Sequence, residues 1–550
     1  MKRILAMVLA MMLAMAVLSG CSDESQPEPT TGNDGQQNTQ RPGGGDASGL
    51  LVGDPGEEYY MISFLSGIDY WKTCFEGFQD AAGQYGVKTI YSGDPTADVA
   101  KQVSVFEEVA AKKPKGIAIT CVNADALKEP IDKAIADGIA VVTFDSDSPD
   151  SIRPSYLSTG NEEAGAQAAA YFAESMPGGA NVALLYTVGA ENSESRVRGF
   201  ENYCATKAPQ VKVAAKVNDK GDQIEATKNM AAQLQADPTI NAVFCMDGVA
   251  GVAGPTAVAE SGLQGIKVLS FDTDSAVLDM IKSGQIEATV AQGTYNMGYW
   301  SMRFLFDLAH SLPKKLPPSF VDTGVTIVTK ANVDDYYVSG GSQAPVARPG
   351  ALTGDPGEEY YMISFLSGID YWKTCFEGFQ DAANQYGVKT VYSGDPTADV
   401  AKQVSVFEEV AAKKPKGIAI TCVNADALKE PIDNAIRQGI QVVTFDSDSP
   451  DSLRPSYLST GNEEAGARAA AYFAQIMPSG ANVALLYTVG AENSESRVRG
   501  FENYCATKAP QVKVAAKVND KGDQIEATKN MAAQLQADPT INAVFCMDGV

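Results

Sequence analysis

Short apolar runs alternate along this chain with longer stretches whose apolar residues recur at helical spacing. Tyr59 to Phe64 predicts a strand, and Trp71 to Gln84 a helix stopped by Gly86. Strands follow at Lys88 to Tyr91, Gly116 to Thr120 and Ala140 to Phe144, with helices over Asp98 to Lys112 and Ala124 to Asp137 between them. A second series begins after Gly160-Asn161. Its helices are Glu162 to Ser175, Arg196 to Ala205 and Gln223 to Ala236; its strands are Asn181 to Tyr186, Val211 to Val217 and Ala242 to Cys245. A helix near Thr256 to Ser261, strand Lys267 to Phe271, helix Ser275 to Ser283, strand Ala288 to Gln292 and helix Asn296 to Ala309 close the series. Strands alternating with helices of this length predict βαβ units on parallel sheets, here two doubly wound α/β sheets in succession.

The pattern then starts again. Gly53 to Val249 reappears as Gly354 to Val550, an offset of 301 (354 minus 53), and the two spans differ at 11 positions. A period of this length makes each copy a domain and not a solenoid unit. Within these 550 residues copy two has no counterpart of residues 250 to 338. The expected layout is therefore a complete two-lobed module over 54–338, a Ser/Gly/Pro/Ala linker over 339–354 and a second module, C-terminally incomplete, over 355–550.

The first 53 residues do not belong to this pattern. Lys2 and Arg3 precede an apolar run, Ile4 to Leu18, too short for a confident span, which ends in Leu18-Ser19-Gly20-Cys21. This resembles the lipobox of bacterial lipoproteins. The resemblance implies removal of a signal peptide over 1–20 and lipidation of Cys21, hence an extracytoplasmic protein anchored to the cell membrane by lipid. The stretch 21–53, rich in Gln, Pro, Gly, Asp and Thr, cannot bury a core and is expected to be a flexible tether.

Charge and composition narrow the chemistry. Forty-three Lys+Arg against 68 Asp+Glu disfavours nucleic acid as a partner. A single histidine, His310, serves the chain, and copy two has none, so histidine acid–base chemistry and His-rich metal sites are not expected. No C-x-x-C spacing supports a zinc or redox motif. A Cys204–Cys245 disulfide is open on sequence grounds.

What remains is a set of polar residues at strand ends. Tyr70-Trp71 follows the first strand, and an aromatic face suits the apolar C–H face of a sugar ring. Asp145, Asp247, Asp272 and Gln292 each follow an apolar strand; Asn192, Arg196 and Asp222 stand at helix entries. Carboxylates accept strong hydrogen bonds from vicinal hydroxyls, and arginine offers a planar donor fork. Plainer readings stand beside these: Asp222 as an N-cap, Tyr70-Trp71 as partial core, Arg196 paired with Glu194 or Glu201, Asp147 as turn chemistry. Paired acids such as Asp145 and Asp147 also suit glycoside cleavage. The mixture of Asp, Arg, Asn and Gln argues for holding hydroxyls instead.

Copy one resembles the ribose- and glucose-type periplasmic sugar-binding proteins of bacterial ATP-driven importers. The resemblance runs through Asp69-Tyr70-Trp71, Val142 to Asp150, Arg196-Val197-Arg198-Gly199-Phe200, Ser270-Phe271-Asp272 and Ala288 to Gln292, and Val321 to Val325 is similar to the glucose-binding branch. It implies the two-lobed type I periplasmic-binding-protein fold and an interlobe pocket lined by Tyr70, Trp71, Asp145, Asn192, Arg196, Asp222, Asp247, Asp272 and Gln292. In copy two it implies Tyr371, Trp372, Asp446, Asn493, Arg497, Asp523 and Asp548. It further implies hinge crossings near Gly160-Asn161, Gln292-Gly293 and Thr323-Gly324, a hexose or pentose ligand, an importer permease as partner, and neither cofactor, metal nor catalysis. Ser146 stands where ribose binders carry Arg, which favours the glucose- or xylose-like branch. A sensor presenting its sugar to a chemoreceptor or histidine kinase is the alternative function.

Overall fold

The computed structural model describes residues 52–312, 317–337, 353–397, 399–489 and 491–547. Copy one opens with β1 (Glu58–Ser63), α1 (Asp69–Tyr85), β2 (Lys88–Gly93), α2 (Val99–Ala111), β3 (Gly116–Ile119), α3 (Ala124–Ala136), β4 (Ala140–Phe144) and β5 (Tyr156–Ser158). The second series comprises α4 (Asn161–Ser175), β6 (Ala180–Tyr186), α5 (Glu191–Thr206), β7 (Val211–Asn218), α6 (Gln223–Ala236), β8 (Ala242–Cys245), α7 (Gly248–Ser261), β9 (Lys267–Phe271), α8 (Ser275–Ser283) and β10 (Ala288–Gln292). α9 (Thr294–Ala309), β11 (Phe320–Asp322) and β12 (Val325–Thr329) complete it.

These strands form two six-stranded sheets, ordered β11-β5-β4-β3-β1-β2 and β12-β10-β9-β8-β6-β7. All neighbours are parallel except β10 and β12, which pair antiparallel. Parallel sheets are covered on both faces, which is why the strands read as continuous apolar runs. Each sheet accordingly has a core on either side: Tyr59, Met61, Phe78 and Phe144 oppose Ile62, Phe106 and Ile119 in the first lobe. Leu184, Phe200 and Phe244 oppose Leu185, Met230 and Val243 in the second.

Cys204 and Cys245 fall on opposite faces of the second sheet, so a backbone layer separates them. The eight described cysteines are free thiols. No disulfide joins the pair.

The chain crosses between lobes three times, after β5, after β10, and between β11 and β12. These crossings coincide with Gly160-Asn161, Gln292-Gly293 and Thr323-Gly324. The second crossing has a consequence for packing: α9 follows the second lobe in sequence but lies on the first, against α1. The helices meet closely at two glycines. A Cβ on Gly77 would fall on the Tyr295 carbonyl oxygen, and one on Gly298 on that of Cys74. Phe306 stacks on Tyr85 with ring centroids 3.8 Å apart.

Copy two repeats the first eight elements as β13 (Glu359–Ser364), α10 (Asp370–Tyr386), β14 (Lys389–Gly394), α11 (Val400–Ala412), β15 (Gly417–Ile420), α12 (Ala425–Arg437), β16 (Gln441–Phe445) and β17 (Tyr457–Leu458). Then come α13 (Asn462–Ile476), β18 (Ala481–Tyr487), α14 (Glu492–Thr507), β19 (Val512–Asn519), α15 (Gln524–Ala537) and β20 (Ala543–Cys546). Its sheets have five strands and three strands. Where β8 is buried throughout, β20 is half-buried and ends in exposed Cys546.

Candidate functional site

The site in copy one begins at two strand ends. Asp145 follows β4 and Asp272 follows β9, and both adopt left-handed backbone, with φ of 60° and 66°. A non-glycine residue held there costs on the order of 1–3 kcal/mol, so the surroundings must enforce it. The two lobes do so alike. The Asp145 amide donates to Leu157 O at 2.9 Å, and its carbonyl accepts from Ser158 Oγ at 3.1 Å and Tyr156 Oη at 2.6 Å. The Asp272 amide donates to Val290 O at 3.0 Å, and its carbonyl accepts from Thr289 Oγ1 at 2.7 Å. In each lobe the neighbouring strand pins the turn that aims the carboxylate.

The carboxylates are then loaded with donors. Asp145 accepts from Tyr70 Oη at 2.6 Å, Ser146 Oγ at 3.0 Å and Thr120 Oγ1 at 3.3 Å. Burial raises its pKa, and these donors and Arg196 pull it back. Asp272 accepts from Gln292 Nε2 at 2.8 Å; burial pushes its carboxyl up to about 6 despite Arg196. Arg196, on α5, is 3 % exposed. Its Nε donates to Asn161 Oδ1 at 2.8 Å, its Nη1 donates to Met246 O, and its carbon Cζ lies 3.9 Å over the Phe271 ring. The charge of Arg196 is felt by Asp272, Tyr70, Asp247 and Asp145, so groups of both lobes converge on one guanidinium.

Asp247 caps α7 through the Ala250 amide at 2.9 Å and also accepts from the Thr187 amide at 3.2 Å. Burial, with Asp219 alongside, pushes it up to about 6. Asp219 is fully buried and shares Thr187 with it, accepting from Thr187 Oγ1 at 2.6 Å.

Tyr70, Asp145, Arg196, Asp247, Asp272 and Gln292 are thus drawn together. Three further candidates are not. Trp71 is 3 % exposed and packs edge-on against Phe64, Tyr70 and Phe144, a core residue behind Tyr70. Asp222 is exposed, and its Oδ1 accepts from the α6 amides of Ile224 at 3.0 Å and Glu225 at 2.9 Å as an N-cap. Asn192 is exposed on the first turn of α5 and accepts from the Ser193 amide at 2.8 Å. Asp147 lies apart as well, paired with Arg153 and accepting from Thr143 Oγ1 at 2.6 Å. Asn161, Thr159, Thr120 and Asp219 were not among the sequence candidates. Thr120 follows β3, Asn161 opens α4, and Thr159 and Asp219 lie in short connections; none carries a local signal for a partner far along the chain.

Copy two reproduces the first-lobe contacts and part of those in the second lobe. Tyr371 Oη donates to Asp446 Oδ1 at 2.7 Å, Asp446 has a φ of 59°, and Trp372 is 3 % exposed. Arg497 Nε donates to Asn462 Oδ1 at 2.8 Å, and Asp523 caps α15. Asn493 accepts from the Ser494 amide at 2.8 Å. Asp548, like Cys21, lies outside the described residues. Among the described residues no helix is long and apolar enough to cross a membrane, and no group of three or more His, Cys, Asp or Glu could hold a metal ion.

Comparison with known proteins agrees with this architecture. An arabinose-binding protein from Geobacillus stearothermophilus, AraP, is 42 % identical and superposes over 52 % of this chain and all of its own, with a TM-score of 0.51. The sugar-binding protein of a sugar ABC transporter from Bacillus halodurans is 40 % identical over 51 % of this chain and all of its own, TM-score 0.50. The D-allose-binding periplasmic protein of Escherichia coli (strain K12) is 26 % identical over 287 residues, half of this chain and 92 % of its own length. Each of these relatives is named as a binding protein. The periplasmic binding protein domain matches residues 59–311 and again 360–550, so the chain belongs to that extracytoplasmic family and carries its domain twice.

Proposed function

We propose that the chain captures a monosaccharide, a pentose or hexose, between the lobes of copy one (54–338) and delivers it to the permease of an ATP-driven importer. One observation carries this reading: Arg196 in the second lobe lies within electrostatic reach of Asp145 from the first and Asp272 from the second. Carboxylates at both walls and a guanidinium between them suit a ring of vicinal hydroxyls, because charge-assisted hydrogen bonds are the strong ones. Closure follows when a ligand bonds both walls at once and so prefers the shut state. The relatives named for arabinose and allose support an aldose as the ligand class.

The test is calorimetric titration of the full chain with L-arabinose, D-arabinose, D-ribose, D-allose, D-xylose and D-glucose. Saturable binding of at least one, lost in Asp145→Ala, is expected; no binding of any sugar overturns the reading. The tether over 21–53 and a lipid on Cys21 place the module at the membrane surface in this proposal. Radiolabelled palmitate incorporated by the parent and not by Cys21→Ser is the expected result.

A further inference from the structure

Two side chains on the first lobe crossing hold the ligand-facing residues of the second lobe. Thr159, 2 % exposed, donates from Oγ1 to Gln292 Oε1 at 2.6 Å. The Asp272 carboxylate, an acceptor, decides which way the Gln292 amide points, and the Thr159 bond holds it there. With Oε1 committed to Thr159, Nε2 faces Asp272 at 2.8 Å; the flipped amide would set its oxygen against a carboxylate. Asn161, the first residue of α4, accepts from Arg196 Nε at 2.8 Å. With the Met246 carbonyl and the Phe271 ring, this fixes the guanidinium plane on three sides.

The same crossing is laced to the other two. Asp322 Oδ1 accepts from the Gly160 amide at 2.7 Å and the Gly324 amide at 2.8 Å, and the Gly293 amide donates to Gly324 O at 2.9 Å. The Thr323 amide donates to Ser158 O at 2.9 Å. Any rotation between the lobes therefore moves the very groups that orient Gln292 and Arg196. Copy two supplies a contrast: Asn462 still holds Arg497, but Thr460 is exposed.

We propose that Thr159 and Asn161 are positioning residues, which preset Gln292 and Arg196 for the ligand and tie their orientation to the hinge. The proposal rests on the sugar-binding reading of the cleft. Ligand contact then stiffens the hinge, and a loosened hinge weakens binding without touching any ligand-facing atom.

The test compares the full chain with Thr159→Val, Thr159→Ser, Asn161→Ala and Asn161→Asp. It uses titration with L-arabinose, D-arabinose and D-ribose, and amide hydrogen exchange at Gly160, Gly293 and Gly324 without ligand. The Val and Ala variants are expected to weaken binding roughly tenfold or more, as befits loss of a hydrogen bond that fixes a charged or amide group, while keeping the parent's fold. The Ser and Asp variants, which keep the donor and the acceptor, are expected to bind within about threefold of the parent on the same scale. Parental binding by the Val and Ala variants overturns the proposal. So does equal damage in the Ser and Asp variants, which marks a packing role alone. If the parent binds none of the three sugars, hydrogen exchange decides: faster exchange at the three glycines only in the Val and Ala variants upholds the positioning role, and the sugar reading then stands or falls with D-allose, D-xylose and D-glucose. Unchanged exchange there overturns the proposal.

Discussion

The same helix sequence meets two fates in one molecule. In α1 the residues Trp71, Cys74, Gly77, Phe78, Ala81, Ala82 and Tyr85 are buried; in α10, which differs only at Gly83→Asn384, only Trp372 and Ala383 are. What separates them is α9. Without it Gly378 has nothing within 4 Å, and a cavity of about 360 Å³ lies beside Phe379, Ala382 and Tyr386, where Phe306 stacks in copy one. The site follows suit, for Tyr371 is 55 % exposed. Both helices form, because local pattern and the Gly86 and Gly387 caps are shared. Burial, and with it a closed site, depends on a helix that arrives from across the hinge.

That contrast can be attacked in order of expected effect. Phe306→Ala removes a buried ring from copy one and should cost about 3–5 kcal/mol. Calorimetry should record that loss in the transition of copy one alone; an equal shift in copy two would mean the modules unfold together. Asp272→Ala deletes a carboxylate with no counterpart among the residues of copy two. It should weaken sugar binding by the whole chain about a hundredfold, as for the loss of a charge-assisted hydrogen bond. Titration that retained one full-strength site would mean copy two binds alone.

The matched pair Gly77→Ala and Gly378→Ala isolates the helix contact itself. The first drives a methyl onto the Tyr295 backbone and should destabilise by roughly 1–3 kcal/mol. The second enters open space and should stabilise α10 by about 0.5–1 kcal/mol through helix propensity. Melts showing the same sign for both would sink the account of α9. A further effect concerns pH. Folded Asp272 holds its proton up to about 6, above the unfolded value, so between about pH 4 and 6 the folded state binds more protons than the unfolded one. Ligand-free copy one should therefore lose stability as pH rises through that window, by about 3 kcal/mol over the two units, and Asp272→Asn should flatten the slope. Asp247, also pushed up to about 6, adds a slope of the same sign that remains in the variant.

Much of this was legible because apolar runs ending in Asp announce both a buried strand and a polar tip; Asp145 and Asp272 are of this kind. The reading failed where the local signal was weak. α7 was expected only over Thr256 to Ser261, since Gly248, Gly251, Gly254 and Pro255 argue against a helix. Packing overrides them: Gly254 lets the helix approach Cys245, and Asp247 caps the start. β5 and β11 went unseen because three residues are too few for a pattern to register; β12, Val325–Thr329, is as long as β10 and β-branched throughout, and its signal was passed over. Tyr70 and Trp71 looked equivalent as candidates. Only the turn of α1 separates them, sending Tyr70 to Asp145 and Trp71 into the core. Thr159 and Asn161 owe their roles to partners 133 and 35 residues away, which no window of sequence displays.

The return of α9 and β11 to the lobe begun by β1 also sets a timetable for biogenesis. As the polypeptide lengthens, its opening lobe stays unfinished until residue 322 has emerged, after strands β6 to β10 of the second lobe. Contacts of such sequence separation slow folding. A nascent chain of this design travels a long way with α1 bare, which favours keeping it unfolded until late.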